Sequence, residues 1–446
     1  MTTTPVRTAT SPVGGASAGP YAEFMQIWEE GYVSSRISFE NMHTPGLFIV
    51  AGDALRSADG RLDRTAIRTY VDAMLASHPN FRLRLQRSLL GLTPPAWVPD
   101  GAFDLDRHLT FTEEPVDFAT ADLRRLAGAD DPPMPIAHPL WRMRITELTN
   151  GAVAVGVTLH HASTDGLSGM RLFSSISQSS ADAEVPAPSD PFAGVRPARS
   201  WDLPALAVRQ WWRRSGSPRA AWSAFRSKPF LRRIRRVAAR ITLPLRYDRG
   251  GERARARALP PRHSAYRRLD AGAAGRRARE MGGTLSDLQA SAMIGAWDGP
   301  DRVVRLRFPV SFHNSADPHV RNHVRDMEVF GDADADLAQT VGSVHRQVEE
   351  RDDSKPYPPV PGRPIGYSTL LPWVSRPRYF CGGEILDMIP FPASLGRDEL
   401  SAAGIMYRGI LFIGANMPRE KDVEATVGRM YELMTGLPDT GRPQPA

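Results

Sequence analysis

Residues 153–169 read VAVGVTLHHASTDGLSG, and no other stretch restricts the fold of this chain as much. An uncharged, β-rich run of seven residues leads into two adjacent histidines, and such a run is the pattern of a strand buried on both faces. Asp165-Gly166 then ends the strand, and over 167–176 apolar residues return at helical spacing through Met170, Phe173 and Ile176. A covered strand feeding a helix implies a mixed α/β layer. Neighbouring side chains on a strand point to opposite faces, so His160 and His161 cannot readily bind one metal ion together, and only one of them can face a given cleft. A histidine at a strand end, with its basicity near neutral pH, can take a proton from a hydroxyl or an amine. Asp165 can fix the turn by pairing with an arginine or by capping the next helix, and Gly166 leaves room for a substrate to approach the backbone.

The rest of the chain repeats this alternation. Residues 1–20 are Thr, Ser, Pro, Gly and Ala without hydrophobic period and read as a disordered tail lacking the apolar middle of a secretory signal. Residues 46–51 (GLFIVA) predict a strand, and 63–77 predict a helix whose inner face carries Ile67, Tyr70, Val71, Met74 and Leu75. Short strands are expected over 81–92, 97–98 and 103–109, then over 141–148 and 152–159. An Ala/Asp/Pro/Ser-rich linker occupies 180–197. Past Pro261 the pattern predicts strands at 265–269, 303–312, 385–389, 402–406 and 410–415, with helices at 285–297 and 423–434. The expected organisation is a tail (1–20), an N-terminal lobe with the histidine pair (21–185), a linker and basic crossover (186–262) and a C-terminal lobe (263–440). The 446 residues, 41% hydrophobic and 24% charged, suffice for two such cores.

Charge is concentrated in the crossover. From Arg209 to Arg257 there are 16 basic residues against two acids, interleaved with Trp211, Trp212, Trp222 and Phe225, so that the remainder of the chain is net acidic although the whole carries +7. The segment is expected to be helical between Pro204 and Pro244, with breaks at Pro218 and Pro229. It reads either as a solvated helix docking its aromatics on the protein or as a contact for anionic lipid or an acidic carrier protein. Of the 56 basic residues 53 are arginine, a bias that codon usage can produce, and no DNA-binding motif accompanies them, so nucleic acid is not an expected partner. Cys381 is alone, no stretch approaches the ~18 apolar residues of a membrane span, and the expected compartment is the cytoplasm, with peripheral membrane contact as one reading of the crossover. Ser168, in Gly166-Leu167-Ser168-Gly169, has its glycines misplaced for the Gly-x-Ser-x-Gly turn of a serine hydrolase, and His-Glu-x-x-His, a phosphate-cradling loop and Gly-x-Gly-x-x-Gly are missing, which removes zinc proteases, P-loop ATPases and dinucleotide enzymes.

His160-His161-Ala162-Ser163-Thr164-Asp165-Gly166 fits the HHxxxDG signature of the thioester-dependent acyltransferase superfamily that includes chloramphenicol acetyltransferase and the condensation domains of peptide synthetases. The surroundings resemble its bacterial wax ester synthase/diacylglycerol acyltransferase members most. Asn41-Met42-His43, Asn80-Phe81-Arg82-Leu83-Arg84-Leu85, Phe103-Asp104-Leu105-Asp106-Arg107-His108, His138-Pro139-Leu140-Trp141 and Gly166-Leu167-Ser168-Gly169 fall in the order and spacing of that family. Gly283-Thr284-Leu285-Ser286-Asp287, Pro309-Val310-Ser311, Arg321-Asn322 and Tyr407-Arg408-Gly409 continue the likeness more loosely, over about residues 24 to 435. The family usually carries Asn-Asp where this chain has Ser286-Asp287, and a Pro-Gly-Pro turn where it reads Ser368-Thr369-Leu370-Leu371-Pro372-Trp373.

The resemblance implies two chloramphenicol-acetyltransferase-like α/β lobes with a central channel, the motif at its middle. It implies an acyltransferase without metal or cofactor, using acyl-CoA or an acyl carrier protein as co-substrate and a hydroxyl or amine acceptor. His161 would be the general base beside His160 and Gly166. Asp165 would be structural, with Arg307 as its partner. Asn322 would donate near the oxyanion. Pro139, Leu140, Trp141, Ser311 and Trp373 would line the channel. The altered 368–373 segment also keeps open a carrier-protein-dependent condensation or tailoring enzyme of natural-product assembly, and a non-catalytic relative that binds lipid or carrier protein.

Overall fold

The computed structural model describes residues 19–25, 29–34, 43–76, 78–164, 166–187, 189–215, 261–311, 324–355, 357–392 and 398–443, with isolated positions between 219 and 234. A small antiparallel sheet joins β1 (Glu23–Phe24), β3 (Leu83–Gln86) and β4 (Ala96–Pro99) in the order β1-β4-β3. The first large sheet has the order β12-β13-β2-β7-β6-β5, where β2 is His43–Val50, β5 Leu109–Phe111, β6 Trp141–Glu147, β7 Val153–His160, β12 Tyr379–Phe380 and β13 Gly383–Pro390. The second has the order β10-β9-β11-β14-β15-β8, with β8 Arg262–Asp270, β9 Val303–Ser311, β10 Val324–Asp332, β11 Arg363–Pro372, β14 Ser401–Tyr407 and β15 Ile410–Pro418. The helices are α1 (Gly31–Ser34), α2 (Arg64–Ala76), α3 (Leu123–Leu126), α4 (Gly166–Ser175), α5 (Asp202–Ser215), α6 (Ala271–Glu280), α7 (Leu285–Gly295), α8 (Leu337–Glu349) and α9 (Val423–Thr435).

Strand β7 is buried at all eight positions, as its sequence requires, and pairs antiparallel with β2 on one side and β6 on the other. Gly156 is needed within it, because a Cβ there would stand 2.3 Å from the carbonyl oxygen of Leu126. The Asp63 carboxylate accepts from the Ala66 amide at 2.8 Å at the start of α2, whose Ile67, Tyr70, Val71, Met74 and Leu75 enter the core of the first lobe. In the second lobe Thr284 and Asp287 form a reciprocal capping box that starts α7.

Period-two alternation ties the lobes together. On β15, Leu411 and Ile413 face the core of the second lobe while Phe412 between them enters the core of the first, and Tyr266 on β8 and Ile405 and Tyr407 on β14 do the same. The two sheets thus share apolar surface.

Several elements differ from their sequence expectation. Strands β12 and β13 lie in the second half of the chain but complete the first sheet, β13 pairing with β2, so the lobes are not two consecutive blocks. Over 81–92 only β3 is strand, and 105–107 form one 3-10 turn, the Asp104 carboxylate accepting from the Asp106 amide, before β5 begins at Leu109. Residues 190–203 are more than a linker: Phe192, Ala198 and Leu203 are buried against the first lobe and the Ala198 amide donates to the Tyr21 carbonyl. Of the helix expected over 204–244 with breaks at Pro218 and Pro229, the part before the first break is seen as α5, and most of the remainder lies outside the described residues. Sequence reading passed over α8, although Leu337, Val341, Val344 and Val348 keep helical spacing, and β11, whose Pro364 and Gly366 read as a break. Gly366 is required there, since a Cβ would meet the Leu400 carbonyl oxygen at 1.7 Å.

Candidate functional site

The histidine pair sits where β7 ends. The His160 amide donates to the Leu140 carbonyl at 3.0 Å, and its own carbonyl accepts from the Ser163 amide at 2.8 Å and from Ser163 Oγ at 2.7 Å, which turns the chain within four residues. His160 points away from the cleft and is buried; its Nδ1 accepts from the Ala162 amide at 3.1 Å. His161 emerges on the opposite face, half-buried, with its ring stacked on Tyr32 at 4.5 Å between centroids and 13° between planes.

His161 lines a cavity of about 450 Å³ between the two large sheets. Apolar side chains dominate its walls: Leu159, Met170, Phe173 and Phe391 from the first lobe and Leu370 and Ile405 from strands of the second sheet. Thr164, Ser286, Ser311, Ser368 and Thr369 add hydroxyls, and Arg307 and Asp326 add charge toward β9 and β10.

Behind the turn lies a second histidine pair. His43 opens β2 directly opposite His160, and neither ring nitrogen of His43 has a hydrogen-bond partner among the described residues. Burial, with Arg142 next in effect, pushes the His43 imidazole down to about 4, and burial followed by His43 and His161 pushes His160 down to about 3. Both are neutral at pH 7. Unfolded, each returns to about 6.5, so between pH 6.5 and 4 the unfolded chain binds more protons than the folded one and stability falls as the solution is acidified. For His43 alone the loss is about 3 kcal/mol by pH 4. Denaturation midpoints measured from pH 7 to 4 should show this slope, and His43→Leu should flatten it; an unchanged slope in that variant would assign the acid sensitivity elsewhere.

The other expected site residues divide. Gly166 opens α4, and Ser311 and Arg307 line the cavity. Arg307 is held by Asp398 at 2.5 Å and lies over the Tyr367 ring at 5.6 Å, whereas Asp165, its expected partner, and Asn322 lie outside the described residues. Pro139, Leu140 and Trp141 are buried and do not reach the cavity. Trp141 stacks on His108 at 4.5 Å and donates to the Phe81 carbonyl at 2.9 Å, which makes it core. Trp373 stands outside the cavity lining: its indole N–H donates to Ser174 Oγ at 2.7 Å and its ring packs on Tyr407 at 4.8 Å, joining α4 to the second lobe. Residues 368–372, where a Pro-Gly-Pro turn is usual in the family that the sequence resembles, are the C-terminal half of β11 and form a cavity wall. Sequence reasoning missed Tyr32, which lies in a segment without period, and Thr164, which the motif spacing treats as filler. Among the described residues no three His, Cys, Asp or Glu side chains converge as a metal site, and no helix is long and apolar enough to cross a membrane.

Comparison with known proteins bears on this geometry. A model of the wax ester synthase/diacylglycerol acyltransferase catalytic domain matches residues 38–290, more than half of the chain. A Mycobacterium tuberculosis protein named as a diacylglycerol O-acyltransferase is 27% identical over 281 residues, covering 58% of this chain and 52% of that relative. Another, also from M. tuberculosis, is 34% identical over 137 residues, 29% of each chain. The chain therefore spans about half the length, or less, of these curated relatives. Among solved structures, a wax ester synthase/diacylglycerol acyltransferase from Marinobacter aquaeolei superposes with TM-score 0.58 at 15% identity over 93% of this chain and all of that one. The first condensation domain of the calcium-dependent antibiotic synthetase gives 0.55 at 14% over 96% and 99%. At these identities the likeness is one of fold.

Proposed function

Because the chain belongs to the wax ester synthase/diacylglycerol acyltransferase family, we propose that it moves an acyl group from a thioester, acyl-CoA by family default, to a hydroxyl acceptor, with His161 as general base. The observation that carries this reading is the opposite fate of the two histidines. His160 is buried with Nδ1 occupied, while His161 stands at the wall of an apolar cavity that both lobes enclose.

In this reading a His161 ring nitrogen takes the acceptor O–H proton as the oxygen attacks the thioester carbonyl carbon. A C–O bond forms and the carbonyl becomes a tetrahedral oxyanion. Its collapse breaks the C–S bond, and the departing thiolate recovers the proton from the imidazolium, so no acyl-enzyme is needed. The Tyr32 face beside His161 favours the charged ring during the step by cation–π attraction. Leu159, Met170, Phe173, Leu370, Phe391 and Ile405 give a hydrocarbon chain an apolar wall, worth about 0.8 kcal/mol per buried methylene.

The test is thiol release from acyl-CoA and acyl-carrier-protein donors against alcohols, diacylglycerol and amines, with product masses. Ester formed from acyl-CoA and a long-chain alcohol or diacylglycerol is the expected result. Turnover only from a carrier protein, or only onto amines, would replace it with a condensation-type reading, and binding of thioesters without turnover would mark a non-catalytic relative.

A further inference from the structure

Helix α5 carries apolar residues on two sides, and only one is covered. Leu203 is fully buried, and Leu206 packs beside it against Ala96 and Val98 of β4 and Ala198. On the other side Trp201, Val208, Trp211 and Trp212 are all exposed, Trp201 at 62% and Trp212 at 53%. A solvated helix has no use for three exposed indoles within 12 residues.

A second apolar projection lies beside it. Leu89, Leu90 and Leu92 are exposed, and the Leu89 amide donates to the Ser200 carbonyl at 3.0 Å, which fixes this loop next to Trp201. Ser88 Oγ accepts from the Thr93 amide at 2.9 Å and closes the loop. Within it Leu90 has φ +55°, a left-handed conformation that a branched side chain rarely adopts, and it presents that side chain 73% exposed. Trp222, Phe230 and Ile234, further along the chain, are exposed as well.

The sequence that continues from α5 is strongly basic. Between Arg209 and Arg257 it has 16 basic residues and two acids; of the described ones Arg209, Arg219 and Arg226 are exposed, while Asp202 at the start of the helix is paired with Arg196. Indoles and leucines among arginines match the headgroup boundary of an anionic bilayer, where the apolar groups enter the interface and guanidinium groups meet phosphates. An acidic protein partner would satisfy the arginines and leave the tightly closed leucine projection unused.

We propose that the α5 face and the Leu89–Leu92 loop together dock this protein on an anionic phospholipid surface. The small β1-β4-β3 sheet separates that face from the histidine turn: Ala96 and Val98 of β4 meet α5 on one side, and Trp97 packs in one cluster with Ala162 on the other. The docked face is one thin layer behind His161. This inference stands on surface chemistry and does not require the acyltransferase reading.

Flotation of the full chain with vesicles of phosphatidylcholine, alone or with about 30 mol% phosphatidylglycerol, tests it directly. Binding to the anionic vesicles is expected, weakened by salt and reduced roughly tenfold or more in Leu90→Asp and in the Trp211→Ser/Trp212→Ser double variant, with melting temperatures unchanged because these side chains are exposed. No binding to anionic vesicles, or binding that both variants leave intact, would overturn the proposal. So would a double variant that changes the protein's mass in light scattering without changing flotation, since the face would then join two copies, or capture of an acidic carrier protein by a chain that ignores vesicles.

Discussion

Replacing His161 with alanine is expected to lower turnover in thiol release by about a thousandfold, within the 10²–10⁴ range of a positioned general base, while thioester binding changes little. The expectation follows from the end of β7. Of the two motif histidines, His161 alone borders the cavity, and its ring stacks on Tyr32. Removing the imidazole leaves the apolar walls intact, so the loss should fall on kcat. His160→Ala should act differently. It removes the acceptor for the Ala162 amide in a buried turn and should therefore appear first as lowered stability. A His161→Ala protein that keeps more than a tenth of wild-type turnover, beside a folded His160→Ala protein that has none, would reverse the assignment.

Arg378→Ala is expected to cost about 3 kcal/mol of stability and to loosen α4. The half-buried Arg378 side chain reaches from the segment before β12 to the C-terminal end of α4. There its guanidinium donates to the carbonyls of Ser174 and Ser177 and, at 3.0 Å, to Ser177 Oγ. These carbonyls lie at the end of a helix, where intrahelical partners run out, and a cation there also answers the helix dipole. Without it they stay partly buried and unpaired. Because Met170 and Phe173 on the same helix form part of the cavity wall, turnover should fall together with the denaturation midpoint. Arg378→Lys should recover only part of both, since a single ammonium nitrogen lacks the planar fork that sets Nε and a terminal nitrogen of Arg378 on separate acceptors. Unchanged midpoints in Arg378→Ala would show that Trp373, bonded to Ser174 Oγ, holds α4 by itself.

The elements legible from sequence were those whose period is local. Strand β7, helix α2 and helix α9 carry their apolar positions at spacings that only one secondary structure can bury on one side or on both. Strand β11 was illegible because Pro364 and Gly366 look like a break until the Leu400 backbone is seen pressing on Gly366. The 105–107 turn is hidden in the sequence because apolar Leu105 beside Phe103 imitates strand alternation, while Asp104 captures the Asp106 amide instead.

For the site, the chain order HHASTDG after an uncharged strand was enough to pick out the histidines, since opposite-facing neighbours leave one for a cleft and one for the interior. Sequence also marked the basic crossover and the chemistry the histidine pair could support. It could not say which large side chains line the cavity. Trp141 and Trp373 have the same composition signal as any channel residue, and their neighbours are set by contacts far apart in sequence: Phe81 and His108 for the first, Ser174 and Tyr407 for the second. The return of β12 and β13 to the first sheet, the Tyr32 ring on His161 and the orphaned His43 opposite His160 are likewise pairings between distant segments. Local periodicity is fixed by steric and burial rules acting within a few residues, so the sequence carries it openly. Which faces meet depends on the packing of whole layers, and only the tertiary structure decided that.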